Sequence, residues 1–406
     1  MHSAAAAMET KVSRCIEGAR KARESQTENM KWWVKAWSNN SKARTGLLQL
    51  QLGSSNSSPI EIETPALLLS TRKGLPHFIS PDLLPSLPYP HSALLQCSPL
   101  HFLEGVSRKT ISHIGGLHQM VGLHDSAFVA VPRDSIQCLP ECGSTNKFGA
   151  SFETPCGRRL IKPSEYLQMI SSIRPNIWAT LADEVPAWVS DKRNKTSVER
   201  TVKWLDECIS LSPKIAFAGY WIGGFGLGES MDERPALLDA VSDSLPGEKP
   251  RLICGLGLPE EVLQAVAAGI DLFDSSYIYN LTLGGFALIF PLDRIEINTS
   301  HDQSTDMGID GTKINLRATV YRKDTSPIVA SCTCYTCQNH TKAYINHLLN
   351  VHEMLAQILL EIHNTHHFLG FFRSIREAIK DGKFELFRQL FIQGRRHNLA
   401  AVAECA

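Results

Sequence analysis

The sequence predicts an α/β protein, and we expect its sheet to form a (β/α) barrel of the TIM type. Short apolar segments alternate with amphipathic helical segments between residues 47 and 273, a pattern typical of strand–helix–strand units. An open parallel sheet is the alternative, but eight strand candidates favour a barrel. The predicted strands are residues 47–52, 66–69, 93–96, 128–131, 177–182, 218–222, 252–255 and 272–273.

Helices between these strands follow from the spacing of apolar residues. In residues 197–211, Val198, Val202 and Leu205 recur at helical spacing. In residues 260–268 the pattern repeats and ends at Gly269, a residue suited to stop a helix before the next strand. Both segments are therefore predicted to be helices that cover the sheet.

Composition sets limits on the class of protein. The chain has 406 residues, 43% of them hydrophobic, which is enough for a barrel with a small subdomain. Because 41 basic residues balance 41 acidic ones, any RNA contact must come from a local patch. The longest apolar segments, such as residues 286–292, are far shorter than the ~20 residues of a membrane helix. We therefore expect a soluble protein.

The eleven cysteines indicate a reducing compartment. Three of them fall within six residues, the others are scattered, and no apolar signal segment opens the chain. This distribution favours a metal site over a disulfide framework. Cys138 and Cys142 flank a predicted turn without a histidine at suitable spacing, so we expect them to be free thiols.

The chain divides into three predicted regions. Residues 1–29 are rich in alanine and basic residues, but their four glutamates argue against a mitochondrial transit peptide, and we expect a disordered extension. Residues 30–330 are predicted to form the barrel. Residues 331–406 are predicted to form a zinc-binding helical subdomain that packs on it, with a long helix over 339–362.

The segment SCTCYTCQNH carries the strongest chemical signal. Cys332, Cys334 and Cys337 form Cys-x-Cys-x-x-Cys, and thiolates at this spacing can converge on one zinc ion at about 2.3 Å. A histidine as fourth ligand would leave no position open for water, which is typical of a structural zinc. Spacing alone leaves six histidines open: His340, His347, His352, His363, His366 and His367.

Several segments resemble the tRNA-guanine transglycosylase family. CTCYTCQNHTKAYINHLL with EIHN resembles its zinc subdomain, and ARTGLLQL with PIEIETPALL resembles its first strands. GGFGLGES and RLICGLGLPEEVLQAVAAGIDLFDSS resemble two further family motifs. The resemblance spans residues 43–393. It implies a (β/α)8 barrel with an inserted zinc subdomain, dimerisation, exchange of guanine for queuine at the wobble position of certain tRNAs, and His363 as the fourth zinc ligand.

The departures from the family pattern indicate lost chemistry. Ala130 falls at the position of the catalytic acid/base aspartate, and only a shifted alignment brings in Asp134. Asp274 retains the position of the nucleophile, a role that needs an ionised carboxylate. However, the arginine-containing loop that follows in catalytic members is replaced by SYIYNLTLGG. Asp183 falls where the family holds the purine edge, so we assign it to substrate binding, in altered surroundings.

A further departure concerns the barrel. The family has an additional strand and helix before the glycine-rich strand, whereas here DECISLSPK leads almost directly into IAFAGYWIGG. We therefore expect a barrel short of one βα unit. Either another strand closes this barrel, or the chain is a truncated form.

The resemblance is closest to the non-catalytic accessory subunits of the family. It implies a heterodimer with a catalytic subunit, with a homodimer as the alternative, tRNA bound within the complex, and a relic nucleophile at Asp274. An active transglycosylase that uses Asp274 with Asp134 or Asp183 is the second hypothesis, and a zinc-stabilised scaffold without a tRNA role is the third. We expect a cytoplasmic location, with the mitochondrial outer surface as a further place of association.

Overall fold

The structure is a computed structural model that describes residues 30–52, 59–212, 218–292 and 311–405. The predicted extension at residues 1–29 lies outside the described residues. So does most of the polar segment that follows residue 292.

The described part of the chain begins with an antiparallel sheet of three strands, β1 (Met30–Trp37), β2 (Arg44–Leu50) and β3 (Ile60–Thr64). Residues 47–52 were predicted to be a strand of the barrel, and this prediction is wrong. Within that segment, residues 47–50 pair antiparallel with β1 on one side and β3 on the other. The error has a physical reason, because an apolar run has the same composition whichever sheet it joins.

Thirteen more strands follow along the described chain. They are β4 (Ala66–Arg72), β5 (Leu75–Pro76), β6 (Leu94–Cys97), β7 (Ala127–Ala130), β8 (Leu139–Pro140), β9 (Ala150–Thr154), β10 (Gly157–Ile161), β11 (Ile177–Trp178), β12 (Tyr220–Ile222), β13 (Arg251–Ile253), β14 (Leu272–Asp274), β15 (Phe286–Leu288) and β16 (Lys313–Asn315).

Seven of these strands form a curled parallel sheet in the order β11–β7–β6–β4–β14–β13–β12. They correspond to the other seven predicted strands, so the α/β class and the parallel sheet are confirmed. The last strand, β14, pairs with the first, β4, as it does in a barrel. Across the described residues, no strand pairing joins β11 to β12, and the hydrogen-bonded ring is open there. The absence of one βα unit stays a prediction, and it would leave a gap of this kind.

Eleven α-helices accompany the strands of the described chain. They are α1 (Arg108–Ile114), α2 (Leu117–Val121), α3 (Pro163–Ile173), α4 (Asp191–Leu211), α5 (Arg234–Asp243), α6 (Pro259–Ala267), α7 (Ser276–Gly284), α8 (Tyr335–Asn339), α9 (Lys342–Asn350), α10 (Leu355–Lys380) and α11 (Phe384–Cys405). The helices predicted in residues 197–211 and 260–268 correspond to α4 and α6. No helix of the described ranges has the length and apolarity needed to span a membrane.

Alternation along the parallel strands separates two hydrophobic clusters. Leu68 and Val129 belong to a cluster shared with the inner face of the β1–β3 sheet. Their neighbours Leu67 and Phe128 belong to a larger cluster that includes residues of the surrounding helices, such as Trp204 of α4. Successive side chains of a strand point to opposite faces, so each strand contributes to both clusters.

The prediction of a single helix over residues 339–362 is wrong in one respect, because two helices, α9 and α10, occupy this segment. His352 between them has a φ of 60°, a left-handed conformation that ends a helix. The helix was predicted because apolar residues recur at spacings of three and four from Tyr344 to Ile362, and this spacing continues through the break. The apolar residues there, Val351 and Leu355, are 49% and 37% exposed, so they do not belong to the core.

A third hydrophobic cluster surrounds the cysteines. It contains Cys334 and Cys337 together with residues of the β15–β16 hairpin and of α9 and α10. Helix α10 then continues into the main cluster through Phe368 and Phe372. The first residue of this third cluster, Ala287, precedes residue 330, so the cluster includes residues from both sides of the predicted domain boundary. The division of the chain at residue 330 stays a prediction.

Candidate metal centre and the carboxyl ends of the strands

Three sulfurs and one ring nitrogen converge at the amino end of α8. Measured to Nδ1 of His363, the Sγ atoms of Cys337, Cys334 and Cys332 lie at 3.3, 3.6 and 3.9 Å. All four candidate ligand atoms lie within 4.8 Å of one another. Ligands of a tetrahedral zinc at about 2.0–2.3 Å would be separated from one another by roughly 3.5–3.8 Å. The cluster therefore has dimensions that fit one metal ion.

Local structure explains how the cysteines are placed. Cys334 is the N-cap of α8, and its Sγ accepts a hydrogen bond from the backbone N–H of Cys337 at 3.3 Å. Hydrogen bonds with Cys332 and Cys337, together with burial, raise the pKa of the Cys334 thiol. Thr336 donates from Oγ1 to the carbonyl of Leu359 at 2.7 Å and fixes α8 on α10. The cysteine segment is thus held against the helix that carries the histidine.

His363 is fully buried, and its ring orientation is fixed from the other side. Its Nε2 lies 2.8 Å from the carbonyl oxygen of Leu288, so Nε2–H donates there and Nδ1 is the ring nitrogen that faces the sulfurs. The next residue, Asn364, accepts from the N–H of Leu288 at 2.9 Å and donates to the carbonyl of Phe286 at 2.9 Å. Strand β15 therefore orients the histidine.

The pKa values show how strongly the four groups interact. Burial opposes protonation of His363, but hydrogen bonds to Cys332 and Cys337 outweigh it and raise the pKa of His363 to about 9. Hydrogen bonds from Cys334 and Cys337 lower the pKa of Cys332. A metal ion on these atoms would displace the protons that they share.

The five other histidines that spacing left open do not share this position. His367 donates from Nε2 to the carbonyl of Phe290 at 2.9 Å, and burial lowers its pKa to about 3. His340 stacks on Tyr344 with ring centroids 5.3 Å apart. His347 and His352 are exposed, and His366 is not among the four residues whose candidate ligand atoms lie within 4.8 Å of one another. The prediction of His363 as a ligand rested on the resemblance, and the geometry supports it.

Asp274 lies at the carboxyl end of β14 and is 1% exposed. Its Oδ1 accepts from the backbone N–H of Gly255 at 3.0 Å, whereas its buried Oδ2 has no hydrogen-bond partner among the described residues. Burial raises the pKa of this carboxyl group, although the Gly255 hydrogen bond, the charge of Arg133 and the nearby hydroxyl groups of Ser135 and Ser276 act in the opposite direction. The candidate nucleophile is therefore enclosed, and its charged form is disfavoured.

An arginine covers the strand ends beside Asp274. Arg133 donates from Nη1 to Oε2 of Glu184 at 3.1 Å and to the carbonyl of Phe225 at 2.8 Å. A Cβ on Gly255, which has a φ of +83°, would lie 2.2 Å from Nη2 of Arg133. Only a glycine lets the guanidinium lie this close to the backbone that binds Asp274. Sequence reasoning did not identify Arg133 or Glu184, which are 51 residues apart.

Asp183 is buried, and both of its carboxylate oxygens are engaged by α4. Arg193 binds Oδ1 and Oδ2 at 2.6 and 2.9 Å, and Arg200 binds Oδ2 at 3.0 Å. The predicted role of Asp183 in substrate binding stays a prediction, and a substrate would have to displace these arginines. Within the described residues, no hydrogen bond joins Asp183 to Asp274.

A second polar cluster escaped the sequence analysis. His101 lies 2.8 Å from Asp134, and both lie near Cys138, which we expected to be a free thiol without a histidine. The backbone N–H of Lys73 donates to Nδ1 of His101 at 3.3 Å, so the ring proton is on Nε2 and points to Asp134. A metal ion on Nε2 would have to replace that proton. Nδ1 could not take the proton up, because it already accepts the hydrogen bond from Lys73. This arrangement is typical of a structural histidine–aspartate pair.

The curled parallel sheet and a Cys3His cluster that could hold one metal ion together define a class of TIM-like α/β proteins. The family model described as Queuine tRNA-ribosyltransferase matches residues 39–214 and 210–397, so the chain belongs to this family. This confirms the resemblance.

The relatives with similar sequences indicate which kind of subunit within this family the chain resembles. A protein of Xenopus tropicalis named "Queuine tRNA-ribosyltransferase accessory subunit 2" is 31% identical over 386 residues, which cover 81% of this chain and 92% of the relative. Relatives of the same name from Homo sapiens and Drosophila grimshawi are each 30% identical. The alignments cover 74% and 86% of this chain and 88% and 89% of those proteins. The chain is thus similar to accessory subunits from vertebrates and an insect.

Proposed function

We propose that this chain is the non-catalytic accessory subunit of a queuine tRNA-ribosyltransferase. In this role it pairs with a catalytic subunit that exchanges guanine for queuine at the tRNA wobble position. The observation that carries the proposal is the enclosure of Asp274 by Arg133 and the backbone of Gly255. Attack on a ribose carbon requires an accessible, ionised carboxylate. Here burial removes access and raises the pKa. The names of the relatives support the same function.

We propose that Cys332, Cys334, Cys337 and His363 hold one structural Zn²⁺. The donor set of three thiolates and one imidazole suits zinc, and four protein ligands fill its tetrahedral shell. Bound there, zinc would supply a cross-link between the α8 segment and α10. The hydrogen bond from His363 to Leu288 supports this role because it leaves Nδ1 free to bind.

The proposed partner is a catalytic homologue in a heterodimer, with a homodimer as the alternative. In this proposal tRNA is bound by the complex, in the cytoplasm, and the barrel (30–330) and the zinc subdomain (331–406) both belong to the accessory subunit. Asp183 acts with Arg193 and Arg200 in holding α4, and Asp274 is a relic of the nucleophile.

The experiment is co-expression of this chain with a catalytic subunit, followed by mass determination in solution and an assay of labelled queuine incorporation into tRNA. We expect a heterodimer that is active and a purified single chain that is inactive. Incorporation of queuine by this chain alone would contradict the proposal. Failure to pair with the catalytic subunit, in a sample that is folded and contains zinc, would contradict it as well.

A further inference from the structure

The ring of parallel strands is open between β11 and β12, yet the loops that follow these two strands contact each other. The loop after β11 contains Glu184 and Trp188, and the loop after β12 runs from Gly223 to Gly228. Parallel strands place their carboxyl ends at the same edge of the sheet, so both loops lie at the end that carries Asp274. Their contacts therefore act where strand hydrogen bonds would otherwise join the two edges.

The contacts begin at Glu184. Its Oε2 accepts from the backbone N–H of Gly224 at 2.8 Å and from Nη1 of Arg133 at 3.1 Å. The same Nη1 donates to the carbonyl of Phe225 at 2.8 Å. Arg133 follows β7, so these three hydrogen bonds join loops from three strands on both sides of the opening. Arg133 and Glu184 are 2% and 5% exposed, and buried charged bonds of this kind are strong.

Two further contacts extend this connection. The backbone N–H of Ala187 donates to the carbonyl of Leu227 at 3.3 Å. The ring of Trp188 lies on Gly228, because a Cβ at that glycine, whose φ is +105°, would be 2.2 Å from Cζ3. Trp188 is nevertheless 76% exposed, so its contact with Gly228 is not part of the main core.

From these contacts we infer that the loops at 183–188 and 223–228 form a clasp that holds the split sheet closed at its carboxyl end and keeps Asp274 covered. The clasp is defined by Arg133, Glu184, Ala187 and Trp188 on one side and by residues 224–228 on the other. It replaces strand pairing between β11 and β12 by charged and backbone hydrogen bonds between loops. Because Arg133 belongs to the clasp and also lies on Gly255, opening the clasp uncovers the Asp274 carboxyl group.

The inference holds whether or not the chain is an accessory subunit, and its test needs no partner. Two variants weaken the clasp: Glu184→Gln removes the charge that binds Arg133, and Trp188→Ala removes an exposed ring. The control is Asp271→Asn, since Asp271 forms an equally buried pair with Arg44 at 2.7 Å, before β14, at the opposite end of the sheet. Backbone amide exchange is measured by mass spectrometry, together with labelling of Asp274 by a water-soluble carbodiimide and an amine.

For both clasp variants we expect amide exchange in residues 177–182 and 218–228 to rise at least about tenfold, with greater labelling of Asp274. Asp271→Asn is expected to leave the ratio of exchange in residues 177–182 to that in β6 unchanged. Residues 218–228 are not compared in this variant, because Asp271 also accepts from the N–H of Arg251, which pairs with Tyr220. Unaltered exchange in both segments in Glu184→Gln and Trp188→Ala would overturn the inference. A rise of the same size throughout the sheet in the clasp variants and the control would overturn it too, because the contacts would then contribute only to global stability.

Discussion

The Nε2–H of His363 points at the carbonyl oxygen of Leu288, 2.8 Å away, and this one hydrogen bond decides which ring nitrogen faces the cysteines. A strand outside the cysteine segment therefore prepares the fourth position of the candidate metal centre. Partners of this kind fix both the tautomer and the orientation of metal-binding histidines.

Replacement of His363 by alanine is expected to abolish stoichiometric zinc binding and to lower the free energy of unfolding by at least about 3 kcal/mol, because metal binding and local folding are coupled. Zinc content is measured by elemental analysis and stability by denaturant unfolding. His340→Ala is the matched control, since this ring stacks on Tyr344 and lies outside the cluster. Equal zinc content in both variants would contradict the ligand assignment.

Asp274→Asn is expected to leave queuine incorporation by the heterodimer within about twofold of the unsubstituted complex. It should also leave stability unchanged or raise it, because a buried carboxyl group with one unbonded oxygen becomes a neutral amide. The measurements are exchange rate and thermal unfolding. The second hypothesis, an active enzyme, predicts a covalent RNA adduct in the unsubstituted chain that disappears in this variant. Finding that adduct would reject the non-catalytic function.

Asp183→Asn is expected to lower the free energy of unfolding by about 2–4 kcal/mol, since it leaves Arg193 and Arg200 without their shared anion. We measure this by denaturant unfolding. Asp191→Asn at the exposed start of the same helix is the control and should cost less than about 0.5 kcal/mol. A stable Asp183→Asn protein in a heterodimer that binds queuine less well would instead favour the predicted substrate-binding role.

Stability is expected to fall as the pH drops from about 6.5 towards 4, in part through His91. Burial and the charge of Arg376, which donates to His91 at 3.2 Å, lower the pKa of His91 to about 4. Between the two pKa values the unfolded chain binds more protons than the folded one, so acid favours unfolding. Urea unfolding at pH 7 and pH 5 should show a loss that is about 1–2 kcal/mol smaller in His91→Gln than in the unsubstituted protein. An identical loss in both would exclude this contribution.

The parts of the site that sequence could predict are those encoded by local spacing. Three cysteines within six residues predict a metal cluster by themselves, and the structure brings their sulfurs together. His363 is 26 residues beyond Cys337, and its position depends on how α10 packs on β15. Spacing could not select it, whereas the family resemblance did.

Contacts between distant segments escaped prediction for the same reason. Arg133 and Glu184 meet because β7 and β11 are neighbours in the sheet, and nothing in either local sequence indicates the pairing. His101 and Cys138 are brought together by the loops after β6 and β7. The strand at residues 47–52 had the right type and the wrong sheet, because hydrophobicity reports burial and does not report the partner strand.

Helix α10 connects the candidate metal centre to the amino-terminal sheet. His363 and Arg376 are 13 positions apart on it, which is about 20 Å along a rigid rod. Beyond the histidine, the rod donates from Arg376 to the carbonyl of Pro65 at 2.8 Å and from Lys380 to Glu63 at 2.9 Å. Rotation or sliding of the rod at its metal-binding part would shift the junction between β3 and β4. The candidate metal centre and the start of the parallel sheet therefore share one structural element, helix α10.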